Sequence, residues 1–223
     1  MLRIILADDE AMIRAGVRAI LASDPDIEVV AEAADGREAV ELVRKHRPDM
    51  ALLDIRMPKV DGLTAAAEIR RLAPDVGVII LTTFGEDEYI ARALGDGASG
   101  FLLKSGDPRE LIAGIHAVAA GAAFLSPQVA QRVISELSRG SGGGRMGRAA
   151  QARERVEQLT DREREVLGHV GSGLSNAEIA RRLHVVEGTV KAYVSAILSR
   201  LSVKNRVQAA IVAYEAGLVD DSA

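Results

Sequence analysis

Two things are missing from this sequence, and each excludes a class of protein. Cysteine is absent, so disulfide bridges and thiolate metal sites are excluded. No apolar run is long enough to span a bilayer. Met1 leads directly into a strand-like segment with no basic leader or cleavage site, which predicts a cytoplasmic protein. The four histidines are too far apart along the chain to suggest a helical metal-binding pair: His46, His116, His169 and His184.

The length and the charge distribution indicate two unlike parts. A chain of 223 residues exceeds one average domain, so two domains are expected. Residues 1–144 carry 16 basic and 22 acidic side chains, whereas residues 145–223 carry 12 basic and 10 acidic ones. An acidic first part suits a cation site, and a mildly basic second part permits a polyanion partner.

The first part alternates short apolar runs with longer helical ones. This alternation predicts an α/β doubly wound domain with a five-stranded parallel sheet. The predicted strands are Arg3–Ala7, Ile27–Ala33, Met50–Asp54, Gly77–Thr82 and Gly100–Lys104. The predicted helices are Met12–Ala22, Gly36–His46, Leu63–Leu72, Asp87–Gly95 and Pro108–Ala120.

The middle of the chain reads as a connection. A short helix is predicted from Ser126-Pro127 to about Leu137, and the glycine-rich stretch Ser138–Gly144 is typical of a flexible linker. We therefore divide the chain into a first domain at 1–122, a connector and linker at 123–154, and a second domain at 155–223.

The second domain is predicted to be a small all-α unit of four helices. Thr160 with Glu163, and Ser175 with Glu178, form two capping boxes, each of which opens an apolar-periodic run. A turn at residues 184–188 leads into the helix Thr189–Leu201, and a last helix runs from about Val207 to Ala216. A short helix, a tight turn and a second helix are typical of a helix-turn-helix module.

Polar side chains end four of the predicted strands. Because the carboxyl ends of parallel strands meet at one sheet edge, we expect these side chains to converge: Asp8, Asp9, Asp54, Thr82 and Lys104. Three carboxylates in one pocket repel one another unless a cation lies among them, and oxygen-only ligands favour Mg²⁺. The set suits an aspartyl-phosphate site: Asp54 as nucleophile, the Asp8 and Asp9 carboxylates on the metal, and Lys104 and Thr82 on the phosphoryl oxygens.

These residues resemble those of a known family. Residues 1–120 resemble the receiver domain of a two-component response regulator, and residues 155–219 resemble the LuxR-type helix-turn-helix domain of the NarL/FixJ family. The matching receiver motifs are Asp8-Asp9, Asp54 with Met57-Pro58 and Asp61-Gly62, Thr82, and Gly100-Phe101-Leu102-Leu103-Lys104. The matching second-domain motifs are Leu159-Thr160-x-Arg162-Glu163-x-Glu165-Val166-Leu167, Gly173-Leu174-Ser175-Asn176-x-Glu178-Ile179-Ala180 and Thr189-Val190-Lys191.

The resemblance implies a path from phosphate to DNA. A sensor histidine kinase donates a phosphoryl group to Asp54, with Mg²⁺ held by Asp8, Asp9, Asp54 and the main-chain carbonyl of Arg56. The added charge draws the Thr82 hydroxyl inward, Phe101 repacks as the aromatic switch, and Lys104 contacts the phosphate. The altered surface controls dimerisation or frees the output domain, so that the chain regulates transcription.

Helix Thr189–Leu201 is expected to enter the major groove of promoter DNA. Its first turns are predicted to face the base edges, with DNA-binding residues at Thr189, Lys191, Ala192 and Ser195. Lys191 is expected to reach a guanine edge or a phosphate, the alternative being a solvated helix residue, Ala192 a thymine methyl, and Ser195 is neutral to sequence. Phosphate contacts are predicted for Lys204, Arg206, Arg181 and Arg182.

Two positions depart from the family, and the last helix has an unusual composition. Val186 stands where a capping Ser or Thr is usual, and Tyr193 stands where His is usual, which predicts weaker or phosphorylation-dependent DNA binding. The last helix is apolar on most sides at 209–214. Its surplus face is expected to form a two-fold dimer contact, the alternative being burial against its own domain.

Two other functions fit parts of the pattern. One is a Mg²⁺-dependent phosphatase, but such enzymes typically carry a second Asp two residues after the nucleophile, where this chain has Arg56. The other is a DNA-binding regulator controlled without phosphorylation, which would be expected to have an incomplete pocket. We therefore expect no enzyme activity beyond assistance with the chain's own phosphotransfer and dephosphorylation.

Overall fold

A computed structural model of the protein describes residues 1–82, 98–126, 129 and 145–219, with the backbone alone at 145–148. The predicted helix Asp87–Gly95, the short helix that follows Ser126 and the glycine-rich stretch Ser138–Gly144 lie outside the described residues. By Cα packing the chain divides into two units, one formed mainly by residues 1–119 and the other mainly by residues 131–223.

The first unit is built on a parallel sheet with helices on its faces. Its strands are β1 (Leu2–Ala7), β2 (Ile27–Ala33), β3 (Met50–Asp54), β4 (Gly77–Thr82), β5 (Gly100–Leu103) and β6 (Phe124–Leu125). Its described helices are α1 (Ala11–Leu21), α2 (Gly36–His46), α3 (Gly62–Leu72) and α4 (Pro108–Ala119). The strand order is β2-β1-β3-β4-β5-β6, which confirms the five predicted strands and adds a two-residue sixth.

The strands have apolar sequences because the sheet is buried on both faces, as the central strand β3 shows. All five residues of β3 are buried, because helices cover both faces of a parallel sheet. Ile4, Leu6, Met50 and Leu52 pack with residues of α1 and α4 in one core cluster. Alternation along the strands places the intervening side chains on the opposite face.

The second unit is helical. Its elements are α5 (Arg145–Glu157), α6 (Asp161–Gly171), α7 (Asn176–Leu183), α8 (Glu187–Arg200) and α9 (Arg206–Ala216). The four predicted helices are confirmed as α6 to α9. Helix α5 is an addition, and Ala152 and Val156 on it belong to the buried core of this unit. The predicted domain start at residue 155 therefore falls inside a helix.

None of the helices in the described ranges is long and apolar enough to cross a membrane.

Candidate functional site

The acidic residues at the strand ends form one pocket. One carboxylate oxygen from each of Asp8, Asp9 and Asp54 lies within 4.8 Å of the others. The Lys104 Nζ lies 2.7 Å from Asp8 Oδ2 and 2.8 Å from Asp54 Oδ1, so one ammonium bridges two buried carboxylates. Asp9 is exposed and gives the pocket an open side.

Strand pairing produces this convergence. Strand β1 pairs with β3 from Ile4 opposite Met50 to Ala7 opposite Leu53, so Asp8 and Asp54 end neighbouring strands. Thr82 ends β4, and its main-chain oxygen accepts a hydrogen bond of 2.8 Å from the Lys104 N–H. The predicted meeting of side chains at one sheet edge thus follows from register alone.

The loop after β3 is packed tightly against the acidic strand end. The Gly62 N–H donates to the Ile55 carbonyl at 2.9 Å, and a Cβ added at Gly62 would lie 1.8 Å from the Asp54 carbonyl oxygen. Asp61 is the N-cap residue of α3, and its side chain accepts a hydrogen bond from the Thr64 N–H. The Asp-Gly pair therefore brings the loop back across the end of its own strand.

This loop also contacts the start of a neighbouring helix, a contact that the sequence does not predict. Lys59 adopts a left-handed backbone conformation with φ of 62°, and its Nζ lies 2.5 Å from Asp35 Oδ2. Asp35 also caps α2 by accepting from the Glu38 N–H. The Asp35-Gly36 sequence before a helical run signals the cap, but nothing in the sequence signals the pairing with Lys59.

Burial sets the electrostatics of the pocket. Desolvation raises the pKa of Asp54 to about 6; Lys104 opposes this shift and the charge of Asp8 adds to it. Burial lowers the pKa of Lys104, but its hydrogen bonds and charge interactions with Asp54 and Asp8 outweigh this effect and leave it raised. Near neutral pH Asp54 is therefore mostly ionised, and Lys104 beside it keeps its positive charge.

The remaining predicted pocket residues have distinct environments. Thr82 is buried at the end of β4, and Phe101 is fully buried in β5 with Leu125 of β6 as its register partner. Arg56, in the loop after β3, has an exposed side chain. The structure thus brings Asp8, Asp9 and Asp54 into one pocket with Lys104 paired to Asp8 and Asp54, and it places Thr82 at the adjoining strand end.

The pocket's donor set fits a hard divalent cation. Its nearest ligand atoms are carboxylate oxygens, which Mg²⁺ and Ca²⁺ prefer over nitrogen or sulfur. A divalent cation would also offset the repulsion that remains after Lys104 has paired with two of the carboxylates.

The second candidate site is the pair of helices α7 and α8. Both predicted capping boxes are present, at Thr160 with Glu163 and at Ser175 with Glu178. Helix α7 ends at His184 in a left-handed conformation, φ 53°, and the Val185 N–H returns to the Ala180 carbonyl at 3.0 Å. This tight turn leads into α8, as in a helix-turn-helix unit.

Helix α8 presents most of its predicted contact residues to solvent. Lys191, Ala192 and Ser195 are exposed, and Thr189 is half-buried. The Lys191 Nζ lies 3.1 Å from Glu187 Oε1, one turn earlier. Because exposed ion pairs contribute little stability, a DNA phosphate can replace Glu187 as the partner of Lys191 at little cost. Lys204, Arg181 and Arg182 are also exposed, as phosphate contacts require.

Arg206 does not lie where a phosphate contact requires. Its side chain is buried, and its guanidinium donates to Asn176 Oδ1 at 2.8 Å and to the Leu174 carbonyl. Burial lowers its pKa to about 10. The prediction of a phosphate contact at Arg206 is therefore corrected, because position in the sequence does not reveal the direction of a long side chain at a helix start.

The structure shows how exposed the two residues that depart from the family are, and which side of the last helix is buried. Val186 precedes α8 with 72% of its surface exposed and provides no side-chain cap, as its side chain dictates. Tyr193 packs partly buried against the domain core. In α9, Ala209, Val212 and Ala213 are buried in that same core, while Tyr214 is 65% exposed. Burial within the domain thus accounts for much of the helix's apolar surface.

Two protein families match separate parts of the chain. Residues 4–116 match the family of response regulator receiver domains, and residues 157–213 match the bacterial regulatory proteins of the luxR family. The chain is 39% identical over 224 residues to the transcriptional regulatory protein DegU of Brevibacillus brevis, covering 98% of this chain and 95% of that one. It is 36% identical over 212 residues to the nitrate/nitrite response regulator NarL of Escherichia coli strain K12, covering 95% and 94%.

A solved structure of full length agrees. The response regulator ChrA of a heme-sensing two-component system matches with a TM-score of 0.54 and 34% identity over 98% of each chain. This chain therefore belongs to the two-component response regulators that join a receiver domain to a LuxR-type helix-turn-helix domain. Within them its relatives are of the NarL and DegU type, which are transcription regulators rather than classical enzymes.

Proposed function

We propose that this protein is a transcription regulator whose DNA binding is controlled by phosphorylation of Asp54. The observation that carries the proposal is the pocket in which Asp8, Asp9 and Asp54 lie within 4.8 Å and Lys104 bridges two of them. The donor is a phosphohistidine of a sensor kinase. In the transfer the phosphorus–nitrogen bond breaks, a phosphorus–oxygen bond to the Asp54 carboxylate forms, and the imidazole leaves.

The chain's own residues prepare that transfer. Asp54 has a pKa of about 6, so its carboxylate is mostly ionised near neutral pH and is able to attack. Lys104, 2.8 Å from Asp54 Oδ1, is placed to contact an oxygen of the phosphoryl group that Asp54 acquires. Asp8, Asp9, Asp54 and the Arg56 main-chain carbonyl would hold Mg²⁺, which supplies charge neutralisation when bound.

The switch and the output follow from the same pocket. We propose that the Thr82 hydroxyl moves toward the phosphoryl group and that Phe101, buried on the neighbouring strand β5, repacks. The phosphorylated chain then binds promoter DNA in the cytoplasm as a dimer, with the exposed residues of α8 in the major groove. The receiver also assists loss of its own phosphoryl group to water, and it has no other enzymatic activity.

We also propose the domain division 1–122, 123–154 and 155–223, with one refinement. Ala152 and Val156 of α5 are 3% and 4% exposed and share a core with α6 to α9. The folded output domain therefore includes α5, which begins at Arg145.

Mass spectrometry of the intact chain tests the phosphorylation directly. After incubation with acetyl phosphate and Mg²⁺, the wild-type chain is expected to gain the mass of one phosphoryl group, and Asp54→Asn is expected to gain none. Asp75→Asn, which changes an exposed carboxylate of the same domain, should behave as wild type. An equal gain in Asp54→Asn would contradict the proposal, and catalytic turnover of added phosphoester would favour a phosphatase instead.

Dimerisation is proposed to use the exposed side of α9 around Tyr214. Sedimentation of the phosphorylated full chain on DNA is expected to show two copies, and Tyr214→Arg is expected to reduce this to one. Gln151→Arg adds the same charge at another exposed position of the domain and should leave two copies. Two copies with Tyr214→Arg would remove α9 from the interface.

A further inference from the structure

Arg206 occupies an unfavourable place for a cation. It is the first residue of α9, where the helix dipole repels positive charge, and only 8% of its surface is exposed. Among the described residues no carboxylate lies within ion-pair distance of its guanidinium. The compensation comes instead from two oxygen acceptors, both in the segment that begins α7: Asn176 Oδ1 and the Leu174 carbonyl.

Those two acceptors define the entry of the chain into the helix-turn-helix unit. The chain turns at Gly173, φ 80°, and the Leu174 N–H donates to the His169 carbonyl at 3.2 Å. Ser175 caps α7, and Asn176 is the first residue of that helix and is 5% exposed. One planar guanidinium therefore holds the residues on both sides of the cap, a geometry that a lysine cannot reproduce.

The position of α8 depends on that of α7. The two are joined by the tight turn at His184, and Val190 and Ile197 of α8 are buried in the core that contains Ile179 and Ala180 of α7. A rotation of α7 at its start would therefore displace Lys191, Ala192 and Ser195 at the surface. Errors of about 1 Å at a positioned site are costly, because the contacting atoms leave their productive geometry.

We propose that Arg206 is a positioning residue for sequence recognition: through Asn176 and the Leu174 carbonyl it fixes the start of α7 against α9 and so orients α8 in the groove. This inference rests on the proposed DNA-binding function. It assigns to Arg206 an effect on specificity, whereas a phosphate-contacting arginine affects affinity for every sequence equally.

Three roles for Arg206 give three different results. A positioning role predicts that loss of the hydrogen bonds from Arg206 to Asn176 and Leu174 lowers the ratio of specific to non-specific affinity in a folded protein. A phosphate contact predicts an unchanged ratio with equally weaker binding of Arg206→Lys to both probes, because the retained charge leaves the salt slope close to wild type. A role in stability alone predicts wild-type affinity for both probes at a temperature where the variant is folded.

The test uses the phosphorylated full chain, a duplex selected by it from a random pool, and the unselected pool as the non-specific probe. Arg206→Lys keeps the positive charge but loses the planar set of N–H donors. Asn176→Ala removes one acceptor and leaves the charge of Arg206 unchanged. We expect each to lower the affinity ratio about three- to ten-fold, the range that loss of one typical intramolecular hydrogen bond gives, with the salt slope unchanged. The double variant should be no worse than the worse single one, because both break the same contact.

Lys204→Ala is the matched control, two residues from Arg206 and exposed. It is expected to weaken binding to both probes equally and to reduce the salt slope. Circular dichroism at the assay temperature measures whether each variant is folded. If Arg206→Lys is unfolded, the affinity ratio of Asn176→Ala alone tests the positioning role. A wild-type affinity ratio in folded Asn176→Ala would overturn the inference. A wild-type chain that selects no duplex would instead count against the proposed function.

Discussion

Asp54 is a carboxylate that must be ionised to accept a phosphoryl group as proposed, and it lies in a place that disfavours ionisation. It is 4% exposed, and burial raises its pKa from 3.8 to about 6. Lys104 compensates in part, but it is shared with Asp8 at 2.7 Å. The folded protein without metal therefore holds an excess of negative charge that unfolding would relieve, and the reactive group is poised by the same imbalance.

This imbalance makes stability depend on pH in a predictable direction. A raised carboxyl pKa means that the folded state binds the proton more tightly than the unfolded state, so the stabilisation is present below pH 4 and is lost as pH rises through about 6. Asp54→Asn removes the ionisation. In chelator-treated protein it is expected to unfold like wild type near pH 4 and to be more stable by about 2–3 kcal/mol at neutral pH.

Denaturant unfolding of both proteins across this pH range measures the difference. Asp75→Asn, at an exposed position, should follow the wild-type curve throughout. A constant difference between Asp54→Asn and wild type from pH 4 to pH 7 would mean that Asp54 is not held by burial in its neutral form.

Among the connections between elements, the loop from β3 to α3 is packed closely enough to restrict substitution at Gly62. Its return across the strand end depends on Gly62, where an added Cβ would lie 1.8 Å from the Asp54 carbonyl oxygen. Gly62→Ala must displace backbone on one side or the other, and it is expected to destabilise the protein by about 1–3 kcal/mol or more, as overpacking does. It should also slow phosphorylation, because Asp54 moves with the loop.

Gly16→Ala is the matched control for this substitution. Gly16 lies inside α1 with no atom within 4 Å of an added Cβ, so alanine is expected to stabilise the helix by about 0.5–1 kcal/mol. Thermal unfolding and the rate of mass gain with acetyl phosphate measure both effects. Wild-type stability and rate in Gly62→Ala would contradict the close packing of this loop.

Helix α8 begins without the cap that most other described helices have. Asp35, Asp61, Thr160, Ser175 and Asn205 accept hydrogen bonds at the starts of their helices, whereas Val186 has no side-chain acceptor. Val186→Ser is expected to stabilise the second domain by about 1 kcal/mol and to tighten DNA binding, because the first turn of α8 carries the contact residues. Calorimetry and DNA titration measure the two effects.

Val186→Ala separates the cap from the loss of the valine side chain. It removes the same exposed methyl groups, provides no acceptor, and should leave both properties close to wild type. A Val186→Ser protein that unfolds at the wild-type temperature and binds DNA no more tightly would show that the missing cap does not limit this helix.

The pocket was predictable from sequence to the extent that it follows from strand ends. Asp54 ends a wholly buried strand, Lys104 follows another, and parallel register brings them within 2.8 Å. Features that depend on tertiary direction were not predictable. The two-residue strand β6 is too short for periodicity, the pairing of Lys59 with Asp35 joins loops far apart in sequence, and the inward turn of Arg206 is a choice of side-chain conformation.

At the scale of the whole molecule, charge separates the two activities. The acidic first part places two buried carboxylates on one lysine, and the mildly basic second part presents lysine and arginine at the exposed faces of α7 and α8. The proposed control of DNA binding requires that a phosphoryl group on Asp54 change the DNA affinity of residues in a different domain. Coupling between sites in proteins is typically about 5- to 150-fold in affinity.

The affinity of the full chain for its selected duplex, measured with and without acetyl phosphate and Mg²⁺, tests this coupling most directly. We predict that treatment raises the affinity of the wild-type chain about ten-fold or more and leaves Asp54→Asn at the untreated value. An unchanged wild-type affinity after complete phosphorylation, or an equal increase in Asp54→Asn, would contradict control of DNA binding through Asp54.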